Sequence, residues 1–102
     1  MNRGDIYDAG IPGGFHPAVI ATRSRAIPYL RNVCVVAVTS RIRGLPTEVP
    51  LNASHGLARE CVANCDNLFT VSKTALGRRR GSLGPEDTVR LNAALRIALE
   101  LD

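Results

Sequence analysis

The pattern of apolar and polar positions changes period along the chain. Gly4 to Tyr7 predicts a short first strand. Ala9 to Phe15 then reads as a turn-forming loop, because Pro12 and the adjacent Gly13 and Gly14 punctuate it. His16 to Thr22 predicts a second strand, with Pro17 near its start, where a missing N–H is tolerated. Arg23 to Arg31 is polar, basic and broken by Pro28, which fits a loop or one helical turn. Val33 to Ser40 is the clearest strand: Val33 to Val38 is apolar throughout, as expected when both faces are buried. Gly44, Pro46 and Thr47 lead to a strand at Glu48 to Leu51, and Ser54-His55-Gly56 marks a turn. Glu60 to Val71 predicts a strand, a bend near Asp66-Asn67 and a further strand, and Gly77 to Leu83 predicts the last one.

After Gly84 the period becomes helical. Pro85 at the first position and Glu86 and Asp87 in the first turn are start signals, since proline lacks only an N–H that has no partner there and acids complement the helix dipole. Leu91, Leu95, Ala98 and Leu99 fall at i, i+4, i+7 and i+8, an apolar stripe flanked by a second one, Val89, Ala93 and Ile97. A stripe this broad suits cover on more than one side, by loops or by an oligomer contact. Glu86–Arg90 and Arg96–Glu100 are expected as i, i+4 pairs, the second weaker because its order is reversed. Six or seven short strands and a terminal helix predict a mainly β protein with α: a small, strongly bent β-barrel, as a single domain over residues 1–102.

Composition narrows the partners. Thirteen basic residues against nine acidic ones leave a net charge of +4, and Lys73 is the only lysine. Arginine's rigid fork suits phosphate oxygens, so the surplus fits a nucleic acid or an acidic protein segment, and equally a guanine-rich genome. No apolar run approaches the roughly 20 residues that cross a bilayer, and the opening Met1-Asn2-Arg3-Gly4-Asp5 has no signal-peptide character. A cytoplasmic location with no membrane association is therefore expected. Cys34, Cys61 and Cys65 lack CxxC spacing, and His16 and His55 add no ligand pattern, so reduced thiols, no metal and no cofactor are expected.

In chain order these segments resemble the MazF/PemK (Kid) family of toxin endoribonucleases. The resemblance runs through Arg3-Gly4-Asp5-Ile6-Tyr7, His16-Pro17-Ala18-Val19-Ile20, Val36-Ala37-Val38-Thr39-Ser40 and Cys61 to Asn67 with Thr70, Val71 and Lys73. It closes on Leu76-Gly77, Gly81-Ser82-Leu83 and the Pro85 to Leu99 helix. It implies an SH3-like (CcdB/MazF-type) barrel, a homodimer, and metal-independent, sequence-specific cleavage of single-stranded RNA. An antitoxin with an acidic, disordered segment is the implied inhibitor.

Such cleavage needs a base for the 2′-OH, an acid for the departing oxygen and donors for charge on the phosphoryl oxygens. The resemblance places His16, Thr39 and Asp66 as catalytic candidates. His16 stands where the family usually carries arginine, a change that gives a better proton-transfer group and a part-time cation. Thr39 matches a phosphate-contacting threonine and is also a common strand-end residue. Asp66 matches an acid assigned to catalysis or base recognition, and Asp-Asn is also a turn signal. Ser40, Arg41 and Arg43 follow Thr39; either arginine is a phosphate clamp or a solvated loop charge. Asn64 replaces a catalytic arginine of Kid-like members, and Asn67 matches a base-reading amide. Phe15 is a candidate stacking residue in the first loop, and Phe69 either stacks on a base or is core. Arg78-Arg79-Arg80, alternating along a strand, reads as solvated surface or a site for the antitoxin.

The competing function is a non-catalytic MazF/CcdB-like toxin that binds a protein such as a topoisomerase. CcdB-like toxins depend on a terminal Trp-Gly-Ile; this chain has no tryptophan and ends Glu100-Leu101-Asp102, which favours the enzyme.

Overall fold

A computed structural model describes residues 1–101. Six antiparallel strands form one curled sheet: β1 (Asp5–Ile11), β2 (Gly14–Ile20), β3 (Asn32–Thr39), β4 (Glu48–Leu51), β5 (Cys61–Ser72) and β6 (Leu76–Ser82), followed by α1 (Pro85–Leu99). Their order across the sheet is β4-β5-β3-β2-β1-β6. The expected bent barrel with a C-terminal helix is therefore the fold. One short 3-10 turn, Ile27–Tyr29, occupies the Arg23 to Arg31 stretch.

β3 is central and buried on both faces. Val33 and Val35 join a cluster with Ala9, Ala18, Ile20, Ile27 and Val71, whereas Val36 and Val38 face a larger one inside the curl. That larger core takes Ile6, Val19, Val49, Leu51, Cys61 and Cys65 from the sheet and Leu91 and Ala94 from α1. The Val33 to Val38 run thus has the two-sided burial that its composition predicts.

Three local expectations change. The Ala9 to Phe15 loop is mostly strand: Ile11 pairs with Gly14, so only Pro12 and Gly13 turn the β1–β2 hairpin. Proline followed by Gly13 at φ 96° has the residue order of a type II turn. β5 is one strand whose predicted bend is a bulge: between Val38↔Ala63 and Val36↔Leu68, Ala37 alone on β3 faces residues 64–67 on β5. On α1, Leu91 and Ala94 are buried and Leu95 and Ala98 partly so, whereas Leu99 and the Val89, Ala93, Ile97 stripe are exposed. The expected Glu86–Arg90 pair is replaced by Arg90 Nη1 to Asp87 Oδ1 at 3.1 Å, and no Arg96–Glu100 pair is present among the described residues. Glu100 has left the helix, taking φ 54° as its C-cap.

The curl is closed where the 3-10 turn Ala53–His55, between β4 and β5, meets β6. A Cβ on Gly56 would lie 1.8 Å from the Arg80 carbonyl oxygen, and one on Gly81 would lie 2.1 Å from that of His55. Two backbones touch here because both positions are glycine. The turn is also pinned through His55: the Asn52 N–H donates to Nδ1 at 3.1 Å, so Nε2 carries the hydrogen and donates to Asp87 Oδ2 at 2.6 Å. His55 therefore ties the closing turn to the start of α1.

Candidate RNA-cleaving groove

The β2–β3 ladder stops at Ala18↔Ala37. Extending its register would set Pro17 against Val38 and His16 against Thr39, but there β2 pairs only with β1, and β3 only with β5. The strands part, and a groove of about 540 Å³ opens between them. His16, Pro17, Val38 and Thr39 all line it, although neighbours along a strand normally face opposite sides. Pro12, Phe69, the Leu57-Ala58-Arg59 segment and Arg80 also line it.

Four expected site residues meet in this groove: His16, Thr39, Ser40 and Asn67. The Thr39 hydroxyl oxygen accepts from the Arg41 N–H at 3.1 Å, which leaves its own hydrogen to donate to a ligand. His16 Nε2 lies 3.3 Å from the Gly13 carbonyl oxygen. A carbonyl only accepts, so Nε2 carries the hydrogen in this contact, and in the neutral ring Nδ1 is the basic nitrogen.

Five expected site residues lie outside the groove lining. Asp66 and Asn64 belong to the β5 bulge, where Asp66 Oδ2 accepts from the Thr47 hydroxyl at 2.7 Å and Asn64 Oδ1 from the Asp66 N–H at 2.9 Å. Both side chains brace the bulge. Arg41 and Arg43 sit on the β3–β4 loop, whose backbone N–H groups at Arg43, Gly44 and Leu45 converge on the Glu48 carboxylate. Phe15 alternates to the other face of β2 from His16, and its ring covers Gly77.

Two groove arginines escape sequence reading. Arg59 follows a turn whose path is set only when the curl closes. Arg80, expected on solvated surface or in a site for the antitoxin, is half-buried in the groove lining, with Nη1 on Asp8 at 3.1 Å. Of its neighbours, Arg78 is exposed, and Arg79 reaches Asp5 at 3.4 Å. Among the described residues the lining contains arginine, histidine, hydroxyl and amide groups, and its charged side chains are cationic.

Cys61 and Cys65 are buried, free thiols in the inner core, and Cys34 is a half-buried free thiol. Burial pushes all three above their ordinary value of 9.0. Cys65 rises to about 11, through burial first and the Asp66 charge second, with Arg3 pulling the other way. The folded state thus keeps this proton through a window in which the unfolded chain has released it. The contribution of Cys65 is pH-independent below pH 9 and turns destabilising as pH rises from 9 towards 11. Urea melts across that range should show a falling midpoint, with a shallower fall in Cys65→Ala.

A curled sheet, a terminal helix and a cationic groove at a strand splay define a small barrel protein suited to an anionic ligand. A family model described as the PemK-like, MazF-like toxin of type II toxin–antitoxin systems matches residues 2–99. The chain is 41% identical over 86 residues to endoribonuclease MazF3 of Mycobacterium tuberculosis, covering 84% of each protein. It superposes on the structure of Mycobacterium tuberculosis toxin MazF-mt6 with a TM-score of 0.92 at 38% identity, covering 96% of this chain and 98% of that one. An endoribonuclease solved in complex with its cognate antitoxin, from a mycobacterial species, gives 0.89 at 29% identity, covering 100% of this chain and 97% of that one. The chain belongs to the PemK-like, MazF-like toxin family, and it is an endoribonuclease of that family.

Proposed function

We propose that this toxin cuts single-stranded RNA at short sequences by metal-independent attack of a 2′-OH on the adjacent phosphorus. The P–O2′ bond forms, the P–O5′ bond breaks, and the products are a 2′,3′-cyclic phosphate (or its 3′-phosphate) and a 5′-OH. His16 Nδ1 takes the 2′-OH proton, and a water molecule supplies the proton to the departing 5′ oxygen. The Thr39 hydroxyl, with Ser40 beside it, donates to the phosphoryl oxygens as their charge builds. Asn67 presents an amide to a base edge, and Phe69 offers a ring for stacking. Asp66 shapes the bulge that carries Asn67.

The observation that carries this reading is the placement of His16 and Thr39 on opposite sides of one strand splay. They lie in a groove whose described lining residues offer hydroxyl and cationic donors. The same cationic lining suits an acidic antitoxin segment, which would compete with RNA for the groove. A homodimer accords with the apolar stripe Val89, Ala93 and Ile97, left exposed on α1.

The test is cleavage of a mixed-sequence single-stranded RNA in EDTA with the ends mapped. Cuts leaving 5′-OH ends are expected, and Thr39→Ala should lower the single-turnover rate about 10²–10³-fold, the usual cost of losing a transition-state donor. Intact RNA after incubation with antitoxin-free protein would reject the proposal in favour of a binding toxin.

A further inference from the structure

We propose that Arg80 is the phosphate clamp of this groove and that Asp8 is the residue that positions it; the inference rests on the RNA-cleaving reading above. Among the described residues lining the groove, Arg59 and Arg80 are the two that carry a permanent positive charge. They differ in how they are held. Arg59 is exposed on the segment between the closing turn and β5, and it makes no ion pair among the described residues.

Arg80 is fixed twice. Its backbone is locked where β6 meets Gly56, and its side chain, 24% exposed, is anchored to Asp8. Both hydrogen bonds to that carboxylate leave from Nη1, at 3.1 Å to Oδ1 and 3.4 Å to Oδ2. The Nε and Nη2 donors remain, and they form the side-on fork that binds two oxygens of one phosphate. Asp8 does not line the groove, and it pairs across β1–β2 with Pro17, the neighbour of His16. The carboxylate therefore holds the guanidinium from behind, beside the strand that carries the proposed base. A fork already oriented loses little side-chain freedom when charge develops on the phosphoryl oxygens, which makes it most useful in the transition state.

Two readouts separate this role from a structural one. The first is the salt dependence of binding to a mixed-sequence 2′-O-methyl RNA, which cannot undergo the cleavage step. Removing one phosphate contact to a single strand lowers the slope of log K against log salt by about 0.7, so Arg80→Ala should show that drop. The second is single-turnover cleavage of the unmodified RNA, expected to fall about 10²–10³-fold in Arg80→Ala. Arg80→Lys keeps the charge and loses the fork: its salt slope should match wild type while cleavage falls at least about tenfold. Asp8→Asn should likewise keep the slope and slow cleavage.

Wild-type salt slope and cleavage in Arg80→Ala would overturn the clamp. Should that variant fail to fold by circular dichroism, Arg80→Lys decides, and wild-type cleavage there would overturn it instead. Wild-type cleavage in Asp8→Asn would overturn the positioning role. If wild-type protein bound RNA but did not cut it, the cleavage chemistry would fall, and the salt slope would still decide whether Arg80 holds a phosphate.

Discussion

Replacing His16 by alanine is expected to lower the single-turnover rate of RNA cleavage by about 10²–10⁴-fold, the usual contribution of a positioned base. The loss should be one of chemistry more than of binding. His16 is an exposed lining residue of the groove, and among the described residues its side-chain hydrogen-bond contact is one 3.3 Å approach to the Gly13 carbonyl oxygen. His16→Arg separates the two roles of the position: it supplies a permanent cation that cannot accept a proton. It should bind the 2′-O-methyl RNA at least as well as wild type, yet cleave as slowly as His16→Ala. An unchanged rate in His16→Arg would mean that this histidine is structural.

Replacing Gly56 by alanine is expected to destabilise the fold by about 2–5 kcal/mol. Two costs combine. Gly56 has φ 83°, a left-handed conformation that costs a side-chain-bearing residue about 1–2 kcal/mol. The new Cβ would also fall 1.8 Å from the Arg80 carbonyl oxygen, so the closing turn must move off β6, an overpacking cost of about 1–3 kcal/mol. For a domain of this size the melting temperature should drop by roughly 10–30 °C. Gly44→Ala is the matched control, because Gly44 has φ 74° but nothing within 4 Å of an added Cβ. It should show only the conformational part, about 1–2 kcal/mol. Equal losses in the two variants would mean that the backbone contact between turn and strand does not hold the curl closed. Because that contact also fixes Arg80, surviving Gly56→Ala protein should cleave RNA more slowly than Gly44→Ala protein.

Much of the fold is legible in local pattern. The apolar run Val33 to Val38 marks the one strand buried on both faces, and Gly84-Pro85-Glu86-Asp87 marks the start of α1. Asp66-Asn67 marks the β5 bulge. The hairpin is harder to read, because Ala9 and Gly10 are too small to show strand alternation beside Pro12-Gly13. Alternating burial along α1 is only half legible, since an exposed Val89 or Ile97 reads like a core residue until its neighbours are placed.

The site divides the same way. His16, Thr39, Ser40 and Asn67 are marked by the resemblance to the MazF/PemK family, and they meet in the groove. Asp66 and Asn64 carry suitable chemistry, but the bulge turns their side chains to Thr47 and to the backbone. Arg80 shows the reverse case. In the sequence it is one arginine of three, and nothing local separates it from Arg78 or Arg79.

By itself the sequence determines most strands, the helix with its start and the basic balance, which depend on backbone preference and side-chain period over a few neighbouring residues. The candidate base and hydroxyl come from the resemblance to the MazF/PemK family. Only the tertiary structure decides which cation enters the groove and which acid stays out. Arg80 reaches Asp8 across 72 positions of chain, and that meeting requires β6 to pair with β1 and the turn at Gly56 to close against it. The groove itself exists because β2 and β3 stop pairing beyond Ala18 and Ala37, and no residue carries that register alone.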